Sequence, residues 1–113
     1  MKQEEKLEVV RFLIFLRGKL QNLSIELLML GEDTSKVDAA EKKLAALINK
    51  LRVNLMRKWQ GSAAKLMSDL RARNERAQRH LRELAESRDR AAKIADILTE
   101  IDQGMKTVLK LLP

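Results

Sequence analysis

The only proline in this chain is its last residue, Pro113, so no interior position lacks a backbone donor or forbids a helix. Of the 113 residues, 65 are Ala, Glu, Lys, Leu or Arg, a composition typical of long helices and coiled coils. Only three aromatic residues are present, too few to build a β-sandwich or a barrel. We therefore predict an all-α fold in one domain, residues 1–113, because the length is that of a single domain.

The first chain reversal is predicted at residues 31–34, which read Gly-Glu-Asp-Thr. Gly31 suits the left-handed conformation at a helix end, so the first helix is predicted over about residues 3–30. Ser35 followed by Asp38 resembles a capping box and predicts the start of a second helix, over about residues 35–59. Its apolar residues recur at steps of three and four, which marks one helical face. They are Val37, Ala40, Leu44, Ile48, Leu51, Leu55 and Trp59.

A second boundary is predicted at residues 60–62, where Gly61 follows one helix and Ser62 caps the next. Beyond it an unbroken seven-residue repeat runs over about residues 62–112, as in a helix whose seam faces a partner. One register of the repeat holds Ala63, Leu70, Ala77, Leu84, Ala91, Leu98, Met105 and Leu112. The other holds Leu66, Arg73, His80, Ser87, Ile94, Ile101 and Val108.

Two architectures fit this pattern. In the one that we favour, an antiparallel helical bundle or coiled coil combines a helical hairpin with a long C-terminal helix, because no glycine or proline interrupts residues 62–103. In the alternative, the last segment folds back near residues 86–89 and gives an up-down four-helix bundle. The similar lengths of the resulting four helices favour this second arrangement.

The residues needed for catalysis are largely missing from this chain. His80 is the only histidine, and there is no cysteine or tyrosine. No glutamate lies three residues before His80, as a di-iron bundle would require. The four glycines are too scattered to form a phosphate-binding loop. We therefore expect a protein that is not an enzyme and has no catalytic, cofactor-binding or metal site.

The apolar run at residues 9–16 is interrupted by Arg11 and is much shorter than the roughly 18 residues that a membrane span needs. It also lacks the basic start and the small-residue cleavage site of a secretory signal. The absence of cysteine fits a reducing compartment. We expect a cytoplasmic protein without a membrane partner.

The first helix is apolar on every side, since its large hydrophobic residues over 9–16 and 23–30 point in all directions. Two neighbours within one chain cannot cover such a helix completely, so we expect self-association, as a homodimer. The C-terminal seam is expected to join this interface. The predicted interface residues are Val9, Phe12, Leu13, Phe15, Leu16, Leu84, Ile94, Leu98, Ile101 and Met105.

The formal net charge of +7 is concentrated in the middle of the chain, where residues 34–60 alone carry a balance of +5. A second basic run follows and could contact phosphate or an acidic partner. Its members are Lys65, Arg71, Arg73, Arg76, Arg79 and Arg82. These arginines point to different sides of a helix, which disfavours reading of base sequence and leaves sequence-independent contacts to phosphate.

The function that these patterns favour is a non-enzymatic helical assembly or adaptor protein. It would act by packing helices against itself and against another protein. The alternative is a helical protein that binds nucleic acid without sequence preference through its basic middle region. The sequence does not identify the partner.

Overall fold

The computed structural model of the chain describes residues 1–84, Glu86 and 88–112. This part of the chain forms four α-helices and no β-strand: α1 Gln3–Met29, α2 Ser35–Val53, α3 Ala63–Leu84 and α4 Arg90–Leu109. The helices form a bundle that measures 45 × 22 × 18 Å. None of the described helices is both long enough and apolar enough to cross a lipid bilayer. The predicted all-α bundle is confirmed.

The turn between α1 and α2 lies where the glycine predicts it. Gly31 has a φ of +74°, a left-handed conformation that few other residues adopt without strain. The N–H of Glu32 donates to the carbonyl of Leu27 at 2.9 Å, and the N–H of Gly31 donates to that of Leu28 at 3.1 Å. This pair of hydrogen bonds is the Schellman motif, which satisfies the last carbonyls of a helix.

Helix α2 begins at Ser35, as predicted, but its N-cap is Thr34 and not Ser35. The hydroxyl of Thr34 donates to the carboxylate of Asp38 at 2.8 Å. The helix ends at Val53 and not near residue 59, which corrects the predicted boundary. Trp59 therefore leaves the helical face assigned to it and lies in the α2–α3 linker, residues 54–62, where it is 2% exposed.

The linker is held by a buried lysine of α1. The ammonium group of Lys6 donates to the carbonyls of Leu55 and Arg57 and lies 5.8 Å from the centroid of the Trp59 ring. The indole N–H of Trp59 donates to the carbonyl of Asn54 at 3.1 Å. Burial of the large indole and these hydrogen bonds stabilise a non-helical path, which explains the early end of α2.

Residues 62–112 form two helices and not one, so the four-helix alternative describes this chain. Asp89 caps the start of α4, where its carboxylate accepts from the N–H of Ala92 at 3.0 Å. One helix of about 50 residues would be about 75 Å long, and α1 and α2 could not cover its apolar seam over that length. Folding back lets α3 and α4 bury each other's seams. Ser87, a member of the predicted seam, lies outside the described residues.

Each hairpin is antiparallel, and the two hairpins pack with α1 on α3 and α2 on α4. Arg17 pairs with Glu41 across the first hairpin, and Lys93 pairs with Glu83 across the second. At Gly104 the helices α3 and α4 approach so closely that an added Cβ would lie 3.2 Å from Leu70. The linker crosses between the diagonal helices α2 and α3 at one end of the bundle, and Trp59 fills the core there.

Candidate interaction surfaces

Most of the predicted interface residues lie in the core of a single chain. Seven of them are at most 8% exposed: Val9, Leu13, Leu16, Leu84, Ile94, Ile101 and Met105. Phe12 and Leu98 are partly buried and pack against that core. Phe15 is 48% exposed and is the one member of the predicted set that projects well out of the bundle. Within this fold, the helices that cover the other nine belong to the same chain.

Helix α1 nevertheless leaves an apolar face uncovered, which we call the α1 outer face. Its side chains lie within about 140° of the helix circumference, at 100° per residue. The face consists of Ile14, Phe15, Gly18, Ile25, Leu28 and Met29, and the exposed polar side chains of Gln21 and Asn22 lie among them. Leu28 and Met29 are 72% and 81% exposed, values that a covered core position never shows.

The middle of the α1 outer face is a notch. A Cβ added at Gly18 would meet no atom within 4 Å outside its own helix, so this position is open to an approaching helix. The aromatic ring of Phe15 borders the notch, 5.9 Å from the ring of Phe12 and 5.2 Å from the ammonium group of Lys19. The face therefore combines large projecting side chains with a central gap that could receive them.

Opposite charges border the two ends of this face. Arg11 lies toward its N-terminal end and Glu26 toward its C-terminal end, and both side chains are exposed. Neither side chain forms a hydrogen bond or salt bridge with any described residue. The neighbouring Glu8 and Arg17 are already paired, with Arg71 and Glu41 respectively. Arg11 and Glu26 remain available to a partner.

The predicted phosphate-contacting residues fall into two groups. Arg73 and Arg76 point toward α4 and both pair with Glu100, and Arg73 also pairs with Asp69 at 2.9 Å. The hydrogen bond to Glu100 raises the pKa of Arg76 above its ordinary value. These two guanidinium groups hold the second hairpin together.

The other members of the predicted basic set are exposed. Arg71, Arg79 and Arg82 lie within about 80° of one another on the outward side of α3, at 100° per residue. Arg71 pairs with Glu8 at 3.2 Å. Arg79, Arg82 and Lys65 form no side-chain hydrogen bond or salt bridge within the described part of the chain.

His80 and Arg73, the polar members of the predicted seam, lie at its edge. Both are partly exposed, and the imidazole of His80 lies 3.9 Å from the carboxylate of Asp96. No group of three or more acidic, histidine or cysteine side chains in the described residues is arranged to hold a metal ion.

A groove between α2 and α4 is the surface that the sequence patterns did not reveal to us. It consists of two adjoining pockets of about 500 and 360 Å³, which share Lys43, Asp102 and Met105. The α2 side is lined by Lys36, Ala39, Ala40, Lys43, Ala46, Leu47 and Lys50. The α4 side is lined by Leu98, Thr99, Asp102, Gln103, Met105, Lys106 and Leu109. The sequence feature that could have indicated this groove is the seven-residue spacing of Lys36, Lys43 and Lys50, with alanines between them.

No family model, curated protein or solved structure matches this chain.

Proposed function

We propose that this chain is a non-enzymatic helical assembly protein of the cytoplasm that forms an antiparallel homodimer through the α1 outer face and serves as an adaptor. One observation carries the proposal: five large apolar side chains of α1, together with Gly18, are left uncovered on one face of the bundle. Exposed apolar side chains grouped on one helix face in this way mark an interaction site on a water-exposed surface.

The charges at the two ends of the face favour a second copy in antiparallel orientation. If two α1 helices cross at Gly18, Arg11 lies about 10.5 Å from the crossing point and Glu26 about 12 Å, at 1.5 Å per residue. In an antiparallel pair these residues from opposite copies reach nearly the same height. Both side chains also lie on the α3 side of the face. A two-fold axis therefore places Arg11 of each copy beside Glu26 of the other and forms two such pairs. In a parallel pair, Arg11 would instead face Arg11.

The energetics support a dimer of moderate affinity. Complete burial of a large apolar side chain is worth about 1.5–3 kcal/mol, and these side chains are already about half buried to one-fifth buried. The gain from two copies is then at most about 18 kcal/mol, whereas immobilising them can cost as little as about 4 kcal/mol, so a net gain is left. We therefore expect a Kd in the micromolar range, equivalent to about 8 kcal/mol.

Light scattering coupled to size exclusion tests the dimer. At concentrations above about 50 µM, where a micromolar dimer is populated, the wild-type chain should show twice its 13.0 kDa mass. Ile25→Glu should give a folded monomer, because Ile25 is 58% exposed and does not belong to the core. A wild-type chain that stays monomeric at about 1 mM would refute self-association, since a Kd weaker than that is worth only about 4 kcal/mol.

A charge exchange tests the orientation. Arg11→Glu or Glu26→Arg alone should weaken the dimer, because each places like charges opposite one another, and the double variant should restore it. Glu75→Arg, on the outer side of α3, is the matched control and should leave dimerisation unchanged. Failure of the double variant to recover would argue against the antiparallel pairing, while the mass measurement would still report whether a dimer forms.

Sequence-independent nucleic-acid binding is the second candidate function. The exposed Arg79 and Arg82 on one side of α3, together with Lys65, favour it. Arg73 and Arg76 have carboxylate partners within the chain, which weakens the case. Binding of this kind should decrease steeply with salt and decrease similarly for all sequences in Arg79→Glu/Arg82→Glu.

A further inference from the structure

We propose that the groove between α2 and α4 binds an acidic amphipathic helix of another protein. This surface is independent of the α1 outer face, because it lies between the two helices on the other side of the bundle. A dimer formed through α1 would leave both of its grooves open. The proposal therefore supplies the type of partner that an adaptor of this construction would recruit.

The dimensions of the groove fit one helix. On α2 it extends from Lys36 to Lys50, about 21 Å at 1.5 Å per residue, or roughly four helical turns. The two pockets share Lys43, Asp102 and Met105, so a rod-shaped ligand that lies along both would extend over the whole length. The alanines of the α2 side have small side chains, which lets the backbone of a docked helix approach closely.

The floor of the groove is apolar at Leu47, Met105 and Leu109, whereas Thr99 and Gln103 make part of the wider pocket polar. Met105 and Leu47 are nearly buried at its base, and Leu109 is 44% exposed at one end. Ala39 and Ala46 are exposed in its wall. An amphipathic helix buries its own apolar stripe on such a floor, whereas a phosphate backbone would gain nothing from it. The apolar part of the floor therefore favours a protein helix over nucleic acid as the ligand.

The rim of the groove selects the charge of the ligand. Lys36, Lys43 and Lys50 are seven residues apart and so project from nearly the same side of α2, about 10.5 Å from one to the next. None of the three donates a side-chain hydrogen bond or salt bridge to a described residue. Among the described residues that line the groove, Asp102 is the only acidic one, and Lys106 pairs with it at 3.2 Å. A ligand with acidic residues beside its apolar stripe complements this rim.

The test uses the full chain and a synthetic helical peptide of about 18 residues, long enough to span the groove. The peptide carries leucine on one face and glutamate at the flanking positions, and its binding is followed by fluorescence anisotropy. We expect saturable binding that Lys43→Glu weakens about ten-fold, equivalent to about 1.4 kcal/mol. Lys42→Glu is the matched control, because Lys42 is an exposed α2 lysine outside the groove lining, and it should leave the affinity unchanged.

A second variant separates shape from charge. Ala46→Trp fills the groove without changing its charge and should abolish peptide binding while the protein keeps its helical circular dichroism. A peptide with lysine in place of glutamate should not bind. Equal weakening by Lys42→Glu and by the groove variants would overturn the proposal, because it would indicate a diffuse attraction to the basic surface. Preferential binding of a DNA duplex at the same lysines would also overturn it.

Discussion

Helices α1 and α3 each pack against two neighbours, α1 against α2 and α3, and α3 against α1 and α4. Both bury one side in the common core, through residues such as Leu13 and Leu70, which are each 1% exposed. On the outside they differ: α1 presents Ile14, Phe15, Ile25, Leu28 and Met29, whereas α3 presents arginines and Glu75.

The comparison shows that an apolar outer face is not needed to build this fold. Helix α3 occupies a corner of the same kind with a charged outer surface, and its inner face is buried equally well. The apolar side chains outside α1 therefore add little to the stability of one chain. We attribute these exposed apolar side chains to a contact with another molecule.

The largest expected effect tests whether the inner faces are equivalent. Leu13→Ala on α1 and Leu70→Ala on α3 should each lower the free energy of unfolding by about 2–5 kcal/mol, through lost burial and the cavity left behind. Urea unfolding followed by circular dichroism measures both. A large loss of unfolding free energy for one variant and a negligible loss for the other would show that the inner faces of α1 and α3 are not equivalent.

A smaller effect on stability is expected when the outer faces are exchanged. Ile25→Lys/Leu28→Lys on α1 and Arg79→Leu/Arg82→Leu on α3 should each change the free energy of unfolding by less than about 1 kcal/mol, because exposed positions contribute little. This is measured at concentrations at which the wild-type chain is monomeric. Sedimentation velocity at higher concentrations, where the wild-type chain is expected to be a dimer, should show that the α1 variant has lost self-association and that the α3 variant has gained a tendency to associate. Strong destabilisation of the α1 variant alone would show that the outer face of α1 contributes to the stability of a single chain.

The smallest effect concerns acid stability and compares the two hairpins. Asp38 joins α2 to α1, and hydrogen bonds from Ser24 and Thr34 hold the pKa of its carboxyl below the ordinary value of 3.8. Glu83 joins α3 to α4, and a hydrogen bond from Lys93 holds the pKa of its carboxyl below 4.5. Each carboxylate stabilises the fold above its unfolded-state pKa, and this contribution is lost as the pH falls through the lower folded-state pKa.

Asp38→Asn and Glu83→Gln should therefore each flatten the loss of stability on acidification. The effect should be larger for Asp38, because its carboxylate accepts hydrogen bonds from two hydroxyl groups, whereas that of Glu83 accepts from Lys93. Unfolding free energies between about pH 2 and 7 measure the slopes, over the range in which carboxylates titrate. An unchanged acid limb in Asp38→Asn would show that its hydrogen bonds persist in the unfolded chain or do not form.

Much of the local structure could be predicted from the sequence. Gly31, Ser62 and the run of helix formers indicated the first two boundaries, because turn and capping chemistry depends on nearby residues alone. The end of α2 could not be predicted, since it depends on Lys6 and Trp59, which are far apart in the chain. The break after Leu84 could not be predicted either, because Asp89 is a modest capping signal in a segment with no glycine or proline.

The interface residues show the same division. The patterns correctly marked Leu13, Leu84 and Ile101 as side chains that must be covered, but they did not show that the covering helices belong to the same chain. A heptad seam buries equally well against an intrachain or an interchain partner, so periodicity cannot separate the two. The groove between α2 and α4 exists only because the hairpins stack in this order.

The sequence by itself determined that this chain is helical, where two of its turns lie, and that α1 is too apolar for two neighbours to cover. These are properties of residues within a few turns of one another, since backbone freedom and helical periodicity act locally. Only the tertiary structure decided which apolar side chains become core and which stay outside. Burial depends on contacts such as those of Lys6 with Trp59 and of Leu70 with Gly104. These residues are far apart in the chain, so a local sequence pattern cannot predict that they meet.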